Sequence, residues 1–207
     1  MPKIVDHEQR RREVADGVLK IIAESGVTAV TFRNLSTATG WPVGVLNHYF
    51  AHRRDLLLSA LTRAAELSAE RQRALTVSLT GREALEAVLD QELPMDSERI
   101  AMSRIFLFFY AEAVNDEEAR EIVMKYLRRW RRRVTLSVEE AQEVGEIDAD
   151  LDARDVAADL IAYNEGLGLH MLLDPDVMSR AVKSPPTPTW VRRLSAQYSK
   201  SRSLSAE

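Results

Sequence analysis

Cysteine is absent from the 207 residues. That removes disulfide frameworks, thiolate zinc sites, iron–sulfur clusters and cysteine nucleophiles, and it fits a reducing compartment. Glycine and proline are scarce, at 8 and 7 residues, which argues against collagen-like or low-complexity sequence and against many tight β-turns. Long apolar runs are missing too. The richest, Ile105-Phe106-Leu107-Phe108-Phe109-Tyr110, is far shorter than the ~20 residues a membrane span needs. The N-terminal stretch MPKIVDHEQRRREV is charged and has no apolar core of a secretory leader. A cytoplasmic protein with no membrane partner is expected. No Glu-x-x-His pair, Ser–His–Asp signature or glycine-rich phosphate loop occurs, so neither an enzyme nor a cofactor is expected.

What is present is a 45% hydrophobic chain with a formal net charge of −4 and a mean hydropathy of −0.24. The charge is uneven. Residues 1–55 hold eight Lys and Arg against six Asp and Glu, and three of the four histidines. The remainder holds twenty basic and twenty-six acidic residues. A mildly basic head precedes an acidic body.

Helical periodicity dominates, and the spacing predicts an all-α chain of about nine helices. Val14, Val18, Ile21 and Ile22 share one face of a first helix that Gly26 closes in αL geometry. Thr31 caps a short second helix, with Val30 and Leu35 as its hydrophobic staple. Gly40 ends that helix, and Pro42 takes the first position of a third, over about 42–49. A fourth runs from Arg53 to about 77. A capping box, Thr80 to Glu83, opens the fifth, and Pro94 stops it. The sixth spans about 97–114. Asp116 caps the seventh, which Gly145 ends, and Asp152 caps the eighth, over about 153–173. Asp174-Pro175 starts a short ninth. The division expected is a helix-turn-helix head at 1–53, a ligand-binding and dimerisation body at 54–183, and a flexible Pro/Ser/Arg tail at 184–207.

The informative segment is TFRNLSTATGWPVGVLNHYF, residues 31–50. Two short helices joined at a glycine, behind a longer helix, make a helix-turn-helix. Phe32, Leu35, Trp41, Val45, Leu46 and Phe50 can form its core. Val43, Gly44, Asn47 and His48 then lie on the opposite face of the third helix, open to a DNA major groove. From pattern alone, an αα-corner in a helical bundle is the competing reading.

The segment resembles the DNA-binding domain of the TetR family of bacterial repressors. The residues that carry the likeness are Thr31, Gly40, Trp41, Pro42, His48-Tyr49-Phe50, Arg53 and Leu56-Leu57. Gly44 with His48-Tyr49-Phe50 looks most like the BetI-type subgroup, and Trp130 and Asn164-Glu165-Gly166-Leu167 add to it. Four positions depart from the usual pattern: Pro42 for Ser or Thr, Trp41 for Val, and Ser36 and Thr39 for Ala. The likeness implies a ligand-responsive repressor that binds double-stranded operator DNA. A helical-bundle small-molecule-binding protein or enzyme without DNA binding is the alternative. By position, Tyr49 matches the aromatic that contacts phosphate and Arg53 the cation opening the fourth helix. Either could instead be a packing ring or a solvated side chain. Thr31 and Arg33 could add phosphate contacts. Pro42 lies at the entry to the third helix and lacks the hydroxyl usual there. Asn47 suits adenine, His48 is the next base reader, and Val43 suits a thymine methyl. Arg10-Arg11-Arg12 reads as a flanking DNA contact or as a solvated charge run. His48 and His52 have metal-ligand spacing, but no carboxylate or thiol partner is near them in sequence, so no metal is expected.

In the body, the resemblance implies a small-molecule effector site and a dimer seam. Met102, Phe106, Phe109 and Tyr110 of the sixth helix either line a pocket or fill the core. Trp130 could stack on a cation and Glu165 balance it, although the Arg128–Arg133 run disfavours a cation. Asn164, Glu165 and His170 are polar on an apolar helix, as ligand contacts or as groups satisfied across a seam. That homodimer seam is expected over about 153–183, where small residues such as Ala157, Ala158, Ala162 and Gly166 sit beside Leu160 and Ile161.

Overall fold

The computed structural model describes residues 7–75 and 77–176, excluding the side chain of His7. Its elements are α1 His7–Ser25, the 3-10 turn η1 Val27–Ala29, α2 Phe32–Thr39, α3 Val43–Tyr49, α4 Arg53–Leu75, α5 Gly81–Gln91, α6 Ser97–Ala113, α7 Glu117–Glu143 and α8 Ala153–Leu173. No strand occurs among the described residues, in keeping with the all-α expectation. The expected ninth helix falls mostly outside the described residues, which end at Asp176, and the 184–207 tail lies outside them.

Local chemistry sets most helix starts. Thr31 Oγ1 accepts from the Asn34 N–H at 3.1 Å. Asp96 and Asp152 cap α6 and α8 through the N–H groups of Arg99 and Arg154, and Asp116 Oδ1 accepts from the Ala119 N–H at 2.8 Å. Each of these caps satisfies a donor that has no partner within its helix. At α4 the bond runs backwards: Asp55 Oδ2 accepts from the His52 N–H at 2.8 Å.

Three expectations are corrected. Pro42 precedes α3 as its N-cap instead of forming its first turn, with its carbonyl accepting from Val45 and Leu46. Gly26 has φ 81 and ψ 172, an extended positive-φ conformation rather than αL, because it must redirect the chain into η1. The capping box at Thr80 does not form, since that side chain makes no cap bond. Instead Glu146 Oε2 accepts from the Arg82 N–H at 2.8 Å, and Arg82 Nη2 donates to the Glu146 carbonyl at 2.6 Å. A carboxylate 64 residues away has taken the local cap's place.

The chain divides into two compact units. The first holds residues up to Ala69 together with Pro94–Tyr126, and the second holds Glu70–Leu93 together with the residues from Leu127 on. In the first, α1 packs chiefly on α6 and on α2. Its core includes Val14, Val18, Ile22, Leu35, Leu46, Leu56, Leu61 and Ile105. In the second, Leu85, Leu89, Trp130, Val134, Val138 and Leu160 are buried. No helix of the described residues is long and apolar enough to cross a membrane.

Candidate nucleic-acid interface and effector-domain residues

Gly40 has φ 74 and ψ 5, the left-handed turn that ends α2 and lets the chain reverse into α3. Thr39 serves the same turn: its hydroxyl donates to the Leu35 carbonyl at 2.7 Å and accepts from the Trp41 N–H at 3.3 Å. Leu35, Leu46 and Phe50 are buried, while Phe32, Trp41 and Val45 are half-buried. With these inward, Val43, Gly44, Asn47 and His48 all face solvent. One short helix therefore presents four consecutive-turn positions outward from a locked core.

Around this face, Arg33 is exposed in the first turn of α2. Tyr49 is half-buried and packs edge-on against His48 and Trp41, with ring centroids 5.5 Å and 6.3 Å away. The arginine cluster of α1 is more than a solvated run. Arg10 lies over the Trp41 ring at 5.4 Å, and Arg11 lies over Phe50 at 5.4 Å. Arg11 Nη2 also donates to the Tyr49 carbonyl at 3.2 Å. Cation–π contact of this kind gives the oversized Trp41 a partner.

Arg53 folds back. Its Nε donates to the Val30 carbonyl at 2.7 Å and its Nη2 to the Val27 carbonyl at 2.7 Å. It braces η1, while Nη1 makes no hydrogen bond among the described residues. Two further arginines that the sequence did not single out are structural. Arg104 of α6 donates through Nη1 to the Ile22 and Ala23 carbonyls, at 2.9 and 2.8 Å, capping the end of α1. Arg54 bridges the start of α4 to the start of α7, through Asp116 and through Glu118 at 2.6 Å. The Asp116 carboxyl is held below its ordinary pKa chiefly by the Ala119 N–H it accepts from; burial opposes this, and the nearby Arg54 and Arg120 lower it further. No signal in the sequence marks Arg54 and Arg104, because their partners are carbonyls and carboxylates 62 to 82 residues away.

The expected effector residues fall in both units. Met102, Phe106, Phe109 and Tyr110 belong to the first. Met102, Phe106 and Phe109 are buried and Tyr110 is half-buried, and Phe106 stacks on Tyr126 with centroids 4.0 Å apart. Trp130, Asn164 and Glu165 belong to the second. Trp130 and Asn164 are each 2% exposed, and Glu165 is half-buried. Asn164 Oδ1 is buried without a hydrogen-bond partner among the described residues, while His170 is exposed.

On α8, Ile161, Ala157 and Leu160 are buried within the protomer, so they are unavailable to a seam. Of its exposed positions, which also include Asp155, Asp159, Tyr163 and His170, the residues Ala158, Ala162, Gly166, Leu169 and Leu173 form one stripe at helical spacing.

Comparison with known proteins agrees with this architecture. The description "BetI-type transcriptional repressor, C-terminal" matches residues 81–184. The HTH-type transcriptional regulator PksA of Bacillus subtilis is 28% identical over 176 residues, covering 84% of each chain. The regulator BetI of Rhizobium meliloti is 28% identical over 132 residues, covering 63% of this chain and 65% of its own. A transcriptional regulator from Saccharomonospora viridis, solved in complex with choline, shares the fold at a TM-score of 0.75 and 21% identity, over 92% of this chain and 95% of that one. A TetR-family regulator from Cytophaga hutchinsonii does so at 0.76 and 14%, over 97% and 100%. These relatives are regulators of transcription, not enzymes. The chain belongs to the TetR family of transcriptional regulators, with a C-terminal part of the BetI type.

Proposed function

We propose that the protein is a repressor that binds an inverted-repeat operator as a homodimer and leaves it when a small molecule binds the body. The observation that carries the DNA contact is the outward row Val43, Gly44, Asn47 and His48 on α3. Asn47 reads adenine through a bidentate pair, His48 reads a neighbouring base, and Val43 meets a thymine methyl. Gly44 lets the helix backbone lie close to the bases, and Pro42 sets the entry to α3. Thr31, Arg33, Tyr49 and Arg53 hold the flanking phosphates. Thr31 does so with the hydroxyl proton left over from its capping role, and Arg53 with its Nη1, which its own fold-back leaves without a hydrogen bond.

The effector contacts proposed are Met102, Phe106, Phe109 and Tyr110 on α6, and Trp130, Asn164 and Glu165. The unpartnered buried Oδ1 of Asn164 supports a polar ligand contact there. The choline bound to the Saccharomonospora viridis regulator supports a small-molecule effector in this fold. Effector binding then favours one of two head spacings through its differential affinity for them. Homodimerisation runs through the outward stripe of α8 and the chain that follows it.

The test is a binding titration on DNA from the gene's own promoter. Asn47→Ala should cost about 1–3 kcal/mol per half-site on the cognate operator and little on random DNA. Arg33→Ala should weaken both alike and shrink the slope of log K against log salt by roughly 0.9 per phosphate lost. Equal losses on operator and random DNA for Asn47→Ala would remove it from the base readers.

A further inference from the structure

The arginine run of α7 is held in place unevenly. Arg133 is engaged: its Nη2 donates to Ser137 Oγ at 2.9 Å and lies 3.5 Å from Glu140. Arg131 and Arg132 make no ion pair or side-chain hydrogen bond among the described residues, and neither does Arg154 at the start of α8. These three guanidinium groups line one groove between α7 and α8, with a volume of about 470 Å³. Guanidinium is permanently charged, carries five N–H donors and accepts nothing. Three of them sharing a groove repel one another and leave their donors to water.

The rest of the lining adds direction. Arg131, Thr135 and Glu139 all border the groove and fall at i, i+4 and i+8 of α7. They run along one strip about 12 Å long from a cationic end, past a hydroxyl, to a carboxylate. Glu139 forms no ion pair with any of the three arginines, so it does not neutralise the cationic end. Leu136, Ala157 and Ala158 supply an apolar floor of mostly small side chains. None of the proposed effector residues borders the groove.

We propose that this groove is a second small-molecule site, specific for an organic anion. A carboxylate or phosphate-ester head is gripped by Arg131, Arg132 and Arg154, and a short hydrocarbon body lies on Leu136, Ala157 and Ala158. Charge-assisted, bidentate N–H···O bonds from guanidinium suit either head. The volume lies within the ~300–1,000 Å³ usual for small-ligand sites. The same field of positive charge rejects a cation. The site does not depend on the DNA reading and is tested without DNA.

The experiment is calorimetric titration of the full chain with butyl phosphate, hexanoate and choline chloride at constant ionic strength. Saturable binding of either anion, unaffected by competing choline, is expected, and the two anions distinguish a phosphate from a carboxylate head. The double variant Arg131→Gln/Arg154→Gln should bind at least about tenfold more weakly. Leu136→Glu, which keeps every arginine and leaves the α8 stripe untouched but adds a carboxylate to the floor, should weaken binding as well. All three positions are substituted at the groove's surface, and an unchanged melting temperature shows that the fold persists. Absence of saturable anion binding up to about 10 mM, or an affinity indifferent to both variants, overturns the proposal.

Discussion

Gly17 shows how single residues fix the reading head. It lies within α1, where glycine costs about 1 kcal/mol relative to alanine. A Cβ placed there would stand 2.5 Å from Thr39 Cγ2 and 3.2 Å from Leu35 Cδ1. Thr39 cannot swing aside freely, because its hydroxyl is bonded to the Leu35 carbonyl and to the Trp41 N–H. The absent side chain in α1 thus makes room for the extra methyl of Thr39, at a position where the family more often has alanine. Gly17→Ala should lower stability in chemical melts: overpacking costs about 1–3 kcal/mol, which outweighs the helix-propensity gain. Adding Thr39→Ala removes the obstruction, so the double variant should be more stable than Thr39→Ala alone. A double-mutant cycle with no coupling between the two sites would contradict that account.

Among the elements, α7 depends on the ionic group at its start. Asp116 both caps α7 and meets Arg54 at the start of α4. Its folded pKa lies below the ordinary value near 4. A depressed carboxyl contributes stability that is fully present above the unfolded pKa and is lost as pH falls through the folded one. Stability should therefore decline below about pH 4, and Asp116→Asn should flatten that part of the profile in urea melts from acid to neutral pH. A profile identical to the parent's would place the acid sensitivity elsewhere. The caps at Thr31, Asp116 and Asp152 were legible in the sequence because donor and acceptor lie within three residues of each other. The helix-turn-helix was legible for a related reason, since glycine placement and apolar spacing act within twenty residues. The bracing bonds of Arg53, and the roles of Arg54 and Arg104, were not legible. A guanidinium looks the same in sequence whether it meets solvent, a phosphate or a carbonyl brought near by folding. Thr80 misled because the cap motif was present and a distant carboxylate displaced it.

For the whole molecule, the proposed operator binding turns on assembly. The apolar residues Leu160 and Ile161, which spacing suggested for a seam, are committed to the protomer's own interior. The stripe left outward is small and apolar, and a Cβ at Gly166 would meet nothing within 4 Å of its own chain. Ala162→Arg should place a charge in the middle of that stripe, shifting the protein toward monomer in analytical ultracentrifugation and weakening operator binding with it. A variant that remains dimeric at micromolar concentration would move the seam off α8. Order of synthesis also matters for the molecule as a whole. Because the start of α5 is closed by Glu146 rather than by Thr80, a chain emerging from the ribosome carries that helix's first turn open while 64 more residues are added. At ordinary elongation rates of about 5–20 residues per second, the wait is roughly 3–13 s. During it the nascent protein exposes a loose end that chaperones and proteases can reach and that the finished protein does not have.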